Sequence, residues 1–514
     1  MQLQPREYQT RILETAKHHN TLVVLPTGMG KTLIALLLSK HRLENFPTSK
    51  ILFLAPTKPL AEQHFNYFKQ HLPELYAELQ LFTGKTPSNQ REKLWKVADI
   101  IFSTPQCISN DLKKRKLDLQ EVSLLIEDEC HRCIKNYAYT HIAQCYLEST
   151  KNPRILGLTA SPGSDQKTIA QICDSLNIEK IEIRDRQSKD VKPYIQKLDT
   201  EIIKVDFPPQ FQLIQSLLKE IYNKKTDELK NRSLLFGPAT KKSLLELQAK
   251  LGRQVKNNHH FNILRGLSVC AQAIKLSHAL ELLETQGIQQ LHNYFKALFE
   301  QANSNKSRAV KEIIKNPNFT KAYTETTNLI NMPHPKLQQL EEIIKKEIKI
   351  NKNSKFIVFA QYRDTVALIN KVLNKIPGIK STLFVGQLKK GNTGMNQKEQ
   401  QQILAQFKEN HLNTLIATSI GEEGLDIPEV SCVIFYEPIP SAIRKIQRTG
   451  RTARLKPGKL IILMTAKTRD EAYHWASKHK EKKMYRAIEN LKKKFDNKKK
   501  KTQLNLSLFK PSQD

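Results

Sequence analysis

The sequence predicts an α/β protein of two parallel-sheet lobes with an all-helical insert domain between them. Three observations point there. Short apolar runs alternate with helical patterns in two separate blocks, the spacing of a parallel sheet with helices on both faces. Between the blocks, apolar residues fall at helical spacing with no strand pattern among them. Each apolar run of the first block also ends in a polar motif, and open α/β sheets bind ligands beyond the carboxyl ends of their strands.

In the first block, strands are expected at 21–25, 51–55, 99–103, 123–127 and 154–158, with a helical pattern from Pro59 to His71 among the connections. Their polar ends are Thr27-Gly28, Ala55-Pro56-Thr57-Lys58, Ser103-Thr104-Pro105-Gln106, Asp128-Glu129 and Thr159-Ala160-Ser161. The run Pro26-Thr27-Gly28-Met29-Gly30-Lys31-Thr32 has the make-up of a phosphate loop. Gly28 and Gly30 let the backbone curl so that its N–H groups and the following helix N-terminus face an anion. Lys31 then reaches the β- and γ-phosphates, and Thr32 offers its hydroxyl to Mg²⁺. The general pattern places Gly where this chain has Leu25, a departure common in loops that begin Pro-Thr-Gly. Downstream, Asp128-Glu129-Cys130-His131 puts two carboxylates at a strand end, where Asp128 can hold the metal and Glu129 can orient a water. Loop and carboxylates together imply a nucleotide triphosphatase.

From about 206 to 335 the pattern is helical, as in Ile214, Leu217, Leu218 and Ile221, then Ala273, Leu276, Leu280 and Leu283. The second block has strands expected at 356–360, 381–385, 414–418, 432–436 and 459–465. Asn396 and Glu399 have the spacing of a capping pair opening a helix that runs to Phe407. Gln361 follows the first of these strands, and Thr418 to Asp426 follows the third. The run Gln447-Arg448-Thr449-Gly450-Arg451-Thr452-Ala453-Arg454 then sets arginines three apart. On a helix, Arg448, Arg451 and Arg454 would share nearly one face. A guanidinium delivered to a phosphoryl transition state can be worth ~10³–10⁵ in rate. Arginines on one lobe and a phosphate loop on the other are what a two-lobe motor needs.

The chain has 514 residues, room for roughly three domains. Its 83 Lys and Arg against 50 Asp and Glu give a net charge of +33, which calls for a polyanionic partner. A membrane is the weaker choice: no apolar run approaches ~20 residues, and the N-terminus MQLQPREYQT has no signal-peptide core. Seven scattered cysteines suggest a reducing cytosol, with Cys130 and Cys133 as core thiols. From Lys478 the tail is strongly basic and helical at first, and 502–514 is expected to be detached.

From Arg6 to Arg454 the sequence resembles a superfamily 2 helicase, with Tyr8-Gln9 similar to the adenine-reading Q motif. The segment Ile274 to Gly287 resembles the helical insert of the archaeal Hef and eukaryotic FANCM helicases. So do Phe384-Val385-Gly386-Gln387 and Gly394 to Gln400. The resemblance implies RecA-like lobes at 1–205 and 336–470 with the helical insert at 206–335 between them, followed by a basic tail at 471–514. It implies ATP and Mg²⁺, with branched or forked DNA as partner, and a DNA-repair role in an archaeal cell, cytoplasmic and nucleoid-associated. By the same resemblance Lys31, Asp128, Glu129, Gln447, Arg451 and Arg454 are catalytic. Gln9, Thr27, Gly28, Gly30, Lys31, Thr32, Gly424 and Asp426 bind nucleotide, with Thr32 and Asp128 on the metal. Thr57, Lys58, Thr104, Gln106, Gln361 and Thr418 face nucleic acid, and Thr159 and Ser161 couple the two sites. RIG-I-like receptors and the Dicer helicase share the three-domain arrangement, so an RNA-stimulated ATPase is an alternative; a basic DNA-binding scaffold with a weak ATPase is another. Ala453 stands where many relatives have Gly. No Glu-Arg-Lys nuclease motif is found, so a separate structure-specific nuclease would do any cutting. Gln503, Leu506 and Phe509 resemble a PIP box, which implies a sliding clamp (PCNA) as a further partner, with Lys510 in place of the second aromatic.

Overall fold

The computed structural model describes residues 4–507 apart from 74–75, 164, 258–259, 305–306, 387–393, 419–426 and 454–455; residues 256–257 and 496–507 are described by backbone alone. The first sheet has seven strands: β1 (Thr21–Val24), β2 (Lys50–Leu54), β3 (Leu79–Phe82), β4 (Ile100–Ser103), β5 (Val122–Asp128), β6 (Ile155–Thr159) and β7 (Lys180–Ile183). Their order is β3-β4-β2-β5-β6-β1-β7. The second sheet has six: β8 (Leu198–Val205), β9 (Phe356–Phe359), β10 (Ser381–Phe384), β11 (Thr414–Ala417), β12 (Cys432–Phe435) and β13 (Gly458–Thr465), ordered β10-β11-β9-β12-β13-β8. All strand pairs in both sheets are parallel.

Strands covered on both faces read as unbroken apolar runs. Hence β1, β2, β4, β5 and β6, each buried end to end, fall within a residue or two of the expected positions. The edge strands β3 and β7 are half-exposed and carry polar residues, so no apolar run announces them.

The strand β8 corrects the expected division. It lies in the stretch assigned to the first lobe, yet it pairs with β13 along its whole length, from Leu198 opposite Gly458 to Val205 opposite Thr465. Lys459 of β13 pins it, reaching Glu201 and Glu347 at 2.9 Å each. The first lobe therefore ends before Leu198.

Between the sheets, the described residues form the helices Pro209–Asn231, Lys241–Asn257, Phe261–Thr285, Ile288–Asn303, Arg308–Ile314 and Pro317–Asn328. Ile214, Leu217, Leu218 and Ile221 pack on Leu276, Leu280 and Leu283, and Ala273 joins a smaller cluster with Leu244, Leu247 and Leu251. In the second lobe, Asn396 and Glu399 form the expected reciprocal cap on the helix Gln397–Lys408, with bonds of 3.0 and 2.8 Å.

The tail also departs from expectation. A single helix runs from Arg469 to Ser507, so 502–507 continues it rather than standing apart. Met484, Ala487, Ile488 and Leu491 recur at helical spacing and are buried in the first lobe's core. Gln503 and Leu506 fall on this helix backbone, while Phe509 lies outside the described residues.

Candidate active site between the two lobes

The phosphate loop joins β1 to the helix Lys31–Asn45. Gly28 and Gly30 take φ of 83° and 79°, left-handed conformations that side chains other than Gly rarely adopt. Gly30 is held closely as well: a Cβ there would fall 2.2 Å from Gln9 Nε2. Gln9 Nε2 and the Tyr8 hydroxyl both donate to Met29 O, at 3.2 and 2.8 Å, while Gln9 Oε1 accepts the Arg6 N–H. The two residues of the Q-like motif thus brace the loop through its backbone.

Asp128 is the last residue of β5 and is buried; Glu129 turns left-handed with φ 50°, and Cys130–Arg132 form one 3-10 turn. Sequence reasoning missed the residue that organises this corner. His64, on the helix Lys58–His71, places Nε2 2.8 Å from Asp128 Oδ2 and Nδ1 3.4 Å from Thr32 Oγ1. Its ring lies against Phe53, with centroids 4.4 Å apart. The only available signal was a histidine on the helix that follows the Thr57-Lys58 strand end. Burial would raise the Asp128 carboxyl, but the His64 hydrogen bond and charge, with Lys31 nearby, hold it below the usual carboxylate range.

The neighbouring carboxylate connects outward. His131 Nδ1 lies 3.2 Å from Glu129 Oε2 and 3.3 Å from Thr159 Oγ1, and Thr159 Oγ1 accepts the Ser161 N–H at 3.1 Å. The imidazole therefore bonds to the end of β6 while lying beside the Glu129 carboxylate that follows β5. Cys130 and Cys133 are buried, and burial pushes both thiols up.

These residues fit a triphosphate and Mg²⁺. Thr27 Oγ1, one residue before Gly28 of the loop, is buried with no hydrogen-bond partner among the described residues. The Thr32 hydroxyl and the Asp128 carboxylate both reach His64, so two hard oxygen donors, the ligand type Mg²⁺ takes, lie at this corner.

The second lobe closes the site. A Cβ on Gly450 would lie 2.7 Å from Thr27 Cβ, so the arginine segment touches the phosphate loop directly. Arg186 of the first lobe adds a hydrogen bond to Ala453 O at 3.1 Å. Gln447, Arg448 and Arg451 are all buried, and Arg448 stacks on Phe359 at 4.7 Å. The shared helical face expected for the arginines is not formed. The helix Ala442–Thr449 ends at Gly450, and the chain then bridges back: Val430 N donates to Arg451 O at 3.1 Å, and Thr452 Oγ1 donates to Val430 O at 2.6 Å. Arg451 therefore sits in a turn beyond the helix. Arg454, Gly424 and Asp426 lie outside the described residues.

The expected nucleic-acid residues line the same rim, displaced along each sheet. Thr57 and Thr104 are the N-cap residues after β2 and β4, and the Thr57 hydroxyl is buried without a hydrogen-bond partner among the described residues. Lys58 pairs with Glu62 at 3.0 Å, and Gln106 reaches the Tyr137 hydroxyl at 3.5 Å. In the second lobe Gln361 follows β9 and donates its N–H to Glu437, while buried Thr418 follows the adjacent β11.

Two parallel sheets, a braced phosphate loop, paired carboxylates and an arginine segment facing the loop make up the two-lobe core of the superfamily 2 helicases. Comparison with known proteins agrees. Residues 6–169 match the DEAD/DEAH box helicase family and 335–456 the helicase conserved C-terminal domain; 210–331 match "Putative ATP-dependent RNA helicase, helical bundle". The chain is 43% identical to the Hef helicase domain of Pyrococcus furiosus, with a TM-score of 0.70 over 92% of this chain and 98% of that one. It belongs to the Hef helicase family. A Methanocaldococcus jannaschii protein, "Putative ATP-dependent RNA helicase", is 38% identical over 95% of this chain and 61% of its own length. An ATP-dependent DNA helicase of Schizosaccharomyces pombe is 33% identical over 90% of this chain and 57% of its own length. The Fanconi anemia group M protein homolog of Mus musculus is also 33% identical, over 94% of this chain but 26% of its own length. The chain thus spans between a quarter and three fifths of these curated relatives. No helix among the described residues is long and apolar enough to cross a membrane.

Proposed function

We propose that this chain is an ATP-dependent DNA helicase or translocase that remodels branched DNA, such as stalled forks and Holliday junctions, in DNA repair. The observation that carries the motor reading is the approach of Gly450 to Thr27, which sets the arginine segment of one lobe on the phosphate loop of the other. In this reading Thr27, Gly28, Gly30 and Lys31 hold the phosphates, and Gln9 reads the adenine while bracing the loop. Glu129 orients the attacking water. Gln447, Arg451 and Arg454 meet the charge that develops on the transferred phosphoryl group. Thr32 and Asp128 would hold Mg²⁺, which would supply positive charge beside the phosphates. Thr57, Lys58, Thr104, Gln106, Gln361 and Thr418 line the nucleic-acid track, and Thr159 and Ser161 relay between track and nucleotide.

DNA is preferred as substrate because relatives in fungi and mouse are named as DNA helicases or as a Fanconi anemia protein. The helical insert would read branch geometry through phosphate contacts rather than bases. The second reading, an RNA-stimulated ATPase, draws on the RNA-helicase descriptions of the insert and of the Methanocaldococcus relative. ATP turnover measured with forked DNA, a Holliday junction, linear duplex, single strand and duplex RNA separates the two. Strongest stimulation by the branched DNAs supports the proposal; strongest stimulation by RNA overturns it. A sliding clamp bound through Gln503, Leu506 and Phe509, a separate structure-specific nuclease and a place at the nucleoid complete the proposal.

A further inference from the structure

The C-terminal helix Arg469–Ser507 touches all three parts of the molecule. At its start, Asp470 meets Lys336 at 2.8 Å with both side chains wholly buried, and Tyr473 donates to Glu281 of the insert at 3.1 Å. Two turns on, Lys480 donates to Pro440 O at 2.8 Å, and Glu481 pairs with Lys445 of the arginine helix Ala442–Thr449 at 2.9 Å. Next, Met484, Ala487, Ile488 and Leu491 enter the first lobe's core, where the Ser161 hydroxyl donates to Met484 Sδ at 2.8 Å. From Asp470 to Ile488 the helix spans about 27 Å as one stiff rod.

Contacts therefore join the two halves of the nucleotide site by a second route, behind the cleft. It runs from Glu129 through His131 and Thr159 to Ser161, then through Met484 and one helical turn to Glu481 and Lys445. We propose that this helix is a strap that sets the arginine helix in register with the Glu129–Thr159 corner, with Glu481 and Met484 as positioning residues for hydrolysis. A lobe that rotates about the cleft must carry the strap with it. Ser161 and Lys445, attached one turn apart on the rod, then move together. The proposal rests on the helicase reading for its purpose, but its readout, intrinsic ATP turnover, needs no nucleic acid.

The test is a charge-swap cycle in the full chain: Lys445→Glu, Glu481→Lys and the double variant, with kcat and KM for ATP and a melting curve for each. Met484→Leu is added, which keeps the apolar packing and removes the sulfur acceptor. Each single reversal is expected to lower kcat several-fold, with KM and melting little changed. The double variant should recover most of the loss, and Met484→Leu should lower kcat without lowering stability. Single variants with wild-type kcat, or a double variant no better than either single, would overturn the strap. A loss of kcat that always tracks a loss of melting temperature would overturn it too, leaving the helix a packing element. Failure of the helicase reading looks different: wild-type turnover would then ignore every nucleic acid while the cycle still reports on the strap.

Discussion

His64 Nε2 lies 2.8 Å from Asp128 Oδ2, and the other ring nitrogen faces the Thr32 hydroxyl at 3.4 Å. One imidazole thus spans the two oxygens proposed to hold Mg²⁺. Partners that orient metal ligands typically matter by ~10–100-fold in metal affinity or activity. His64→Ala is expected to raise the Mg²⁺ concentration needed for half-maximal ATP turnover and to lower kcat. Titrating Mg²⁺ against turnover checks it; an unchanged Mg²⁺ requirement would make the histidine a packing residue beside Phe53.

Glu129 and Lys31 should separate chemistry from binding. Glu129→Gln keeps the shape of the left-handed corner and removes only the charge that orients water. ATP and DNA binding should persist while turnover nearly vanishes. Lys31→Ala should weaken nucleotide binding itself. Equilibrium binding of a fluorescent ATP analogue beside steady-state turnover distinguishes the two. Near-normal turnover in Glu129→Gln would be incompatible with water orientation by that group.

Gly450 is required by closeness, not by backbone angle, since its φ is −65°. A Cβ would meet Thr27 Cβ at 2.7 Å and Ile446 O at 3.4 Å. Gly450→Val should therefore wedge the lobes apart. Overpacking of this kind costs about 1–3 kcal/mol where the surroundings cannot give. The clash is confined to this contact and leaves both lobe cores as they are, so the expected result is a large fall in turnover with a small change in melting temperature. Small-angle scattering with a non-hydrolysable ATP analogue should show less compaction than in the wild type.

Local motifs were legible in the sequence because their chemistry is local. The loop Pro26 to Thr32 and the Asp128-Glu129 pair need only their own backbone to announce themselves. Central strands were legible for a related reason: burial on both faces leaves an unbroken apolar run, as in β5. Edge strands have one wet side, so β3 and β7 left no such run. The strand β8 is mostly exposed and is defined by its partner β13, from which it is more than two hundred residues distant in sequence. His64 could not be found because only the fold lays its helix across the end of β5. The stripe Met484, Ile488, Leu491 was masked by the lysines around it. Periodicity misled at the arginines, where spacing alone implied a helix and the Val430 bridge imposed a turn.

Glu437 gives a prediction in pH. It follows β12, is buried, accepts the Gln361 N–H, and sits near the Lys336–Asp470 pair and Arg448. Burial pushes its carboxyl up to about 7, and Lys336 opposes that rise only in part. In the unfolded chain the same group titrates near its ordinary value of 4.5. Between those two values the unfolded state has released this proton and the folded state still holds it. The unfolded state then binds fewer protons, so this group makes stability fall as pH rises through the window. Above about pH 7 both states are ionised and the penalty is constant, on the order of a few kcal/mol. Glu437→Gln keeps an oxygen acceptor for the Gln361 N–H and removes the titration. The variant and the wild type should melt alike near pH 4.5, and the variant should become progressively more stable up to about pH 7, after which the gap stays level. Comparing the two proteins at each pH cancels the other titrating groups. A variant that is less stable than the wild type by the same amount at every pH would mean that Lys336 keeps Glu437 charged in the folded protein throughout.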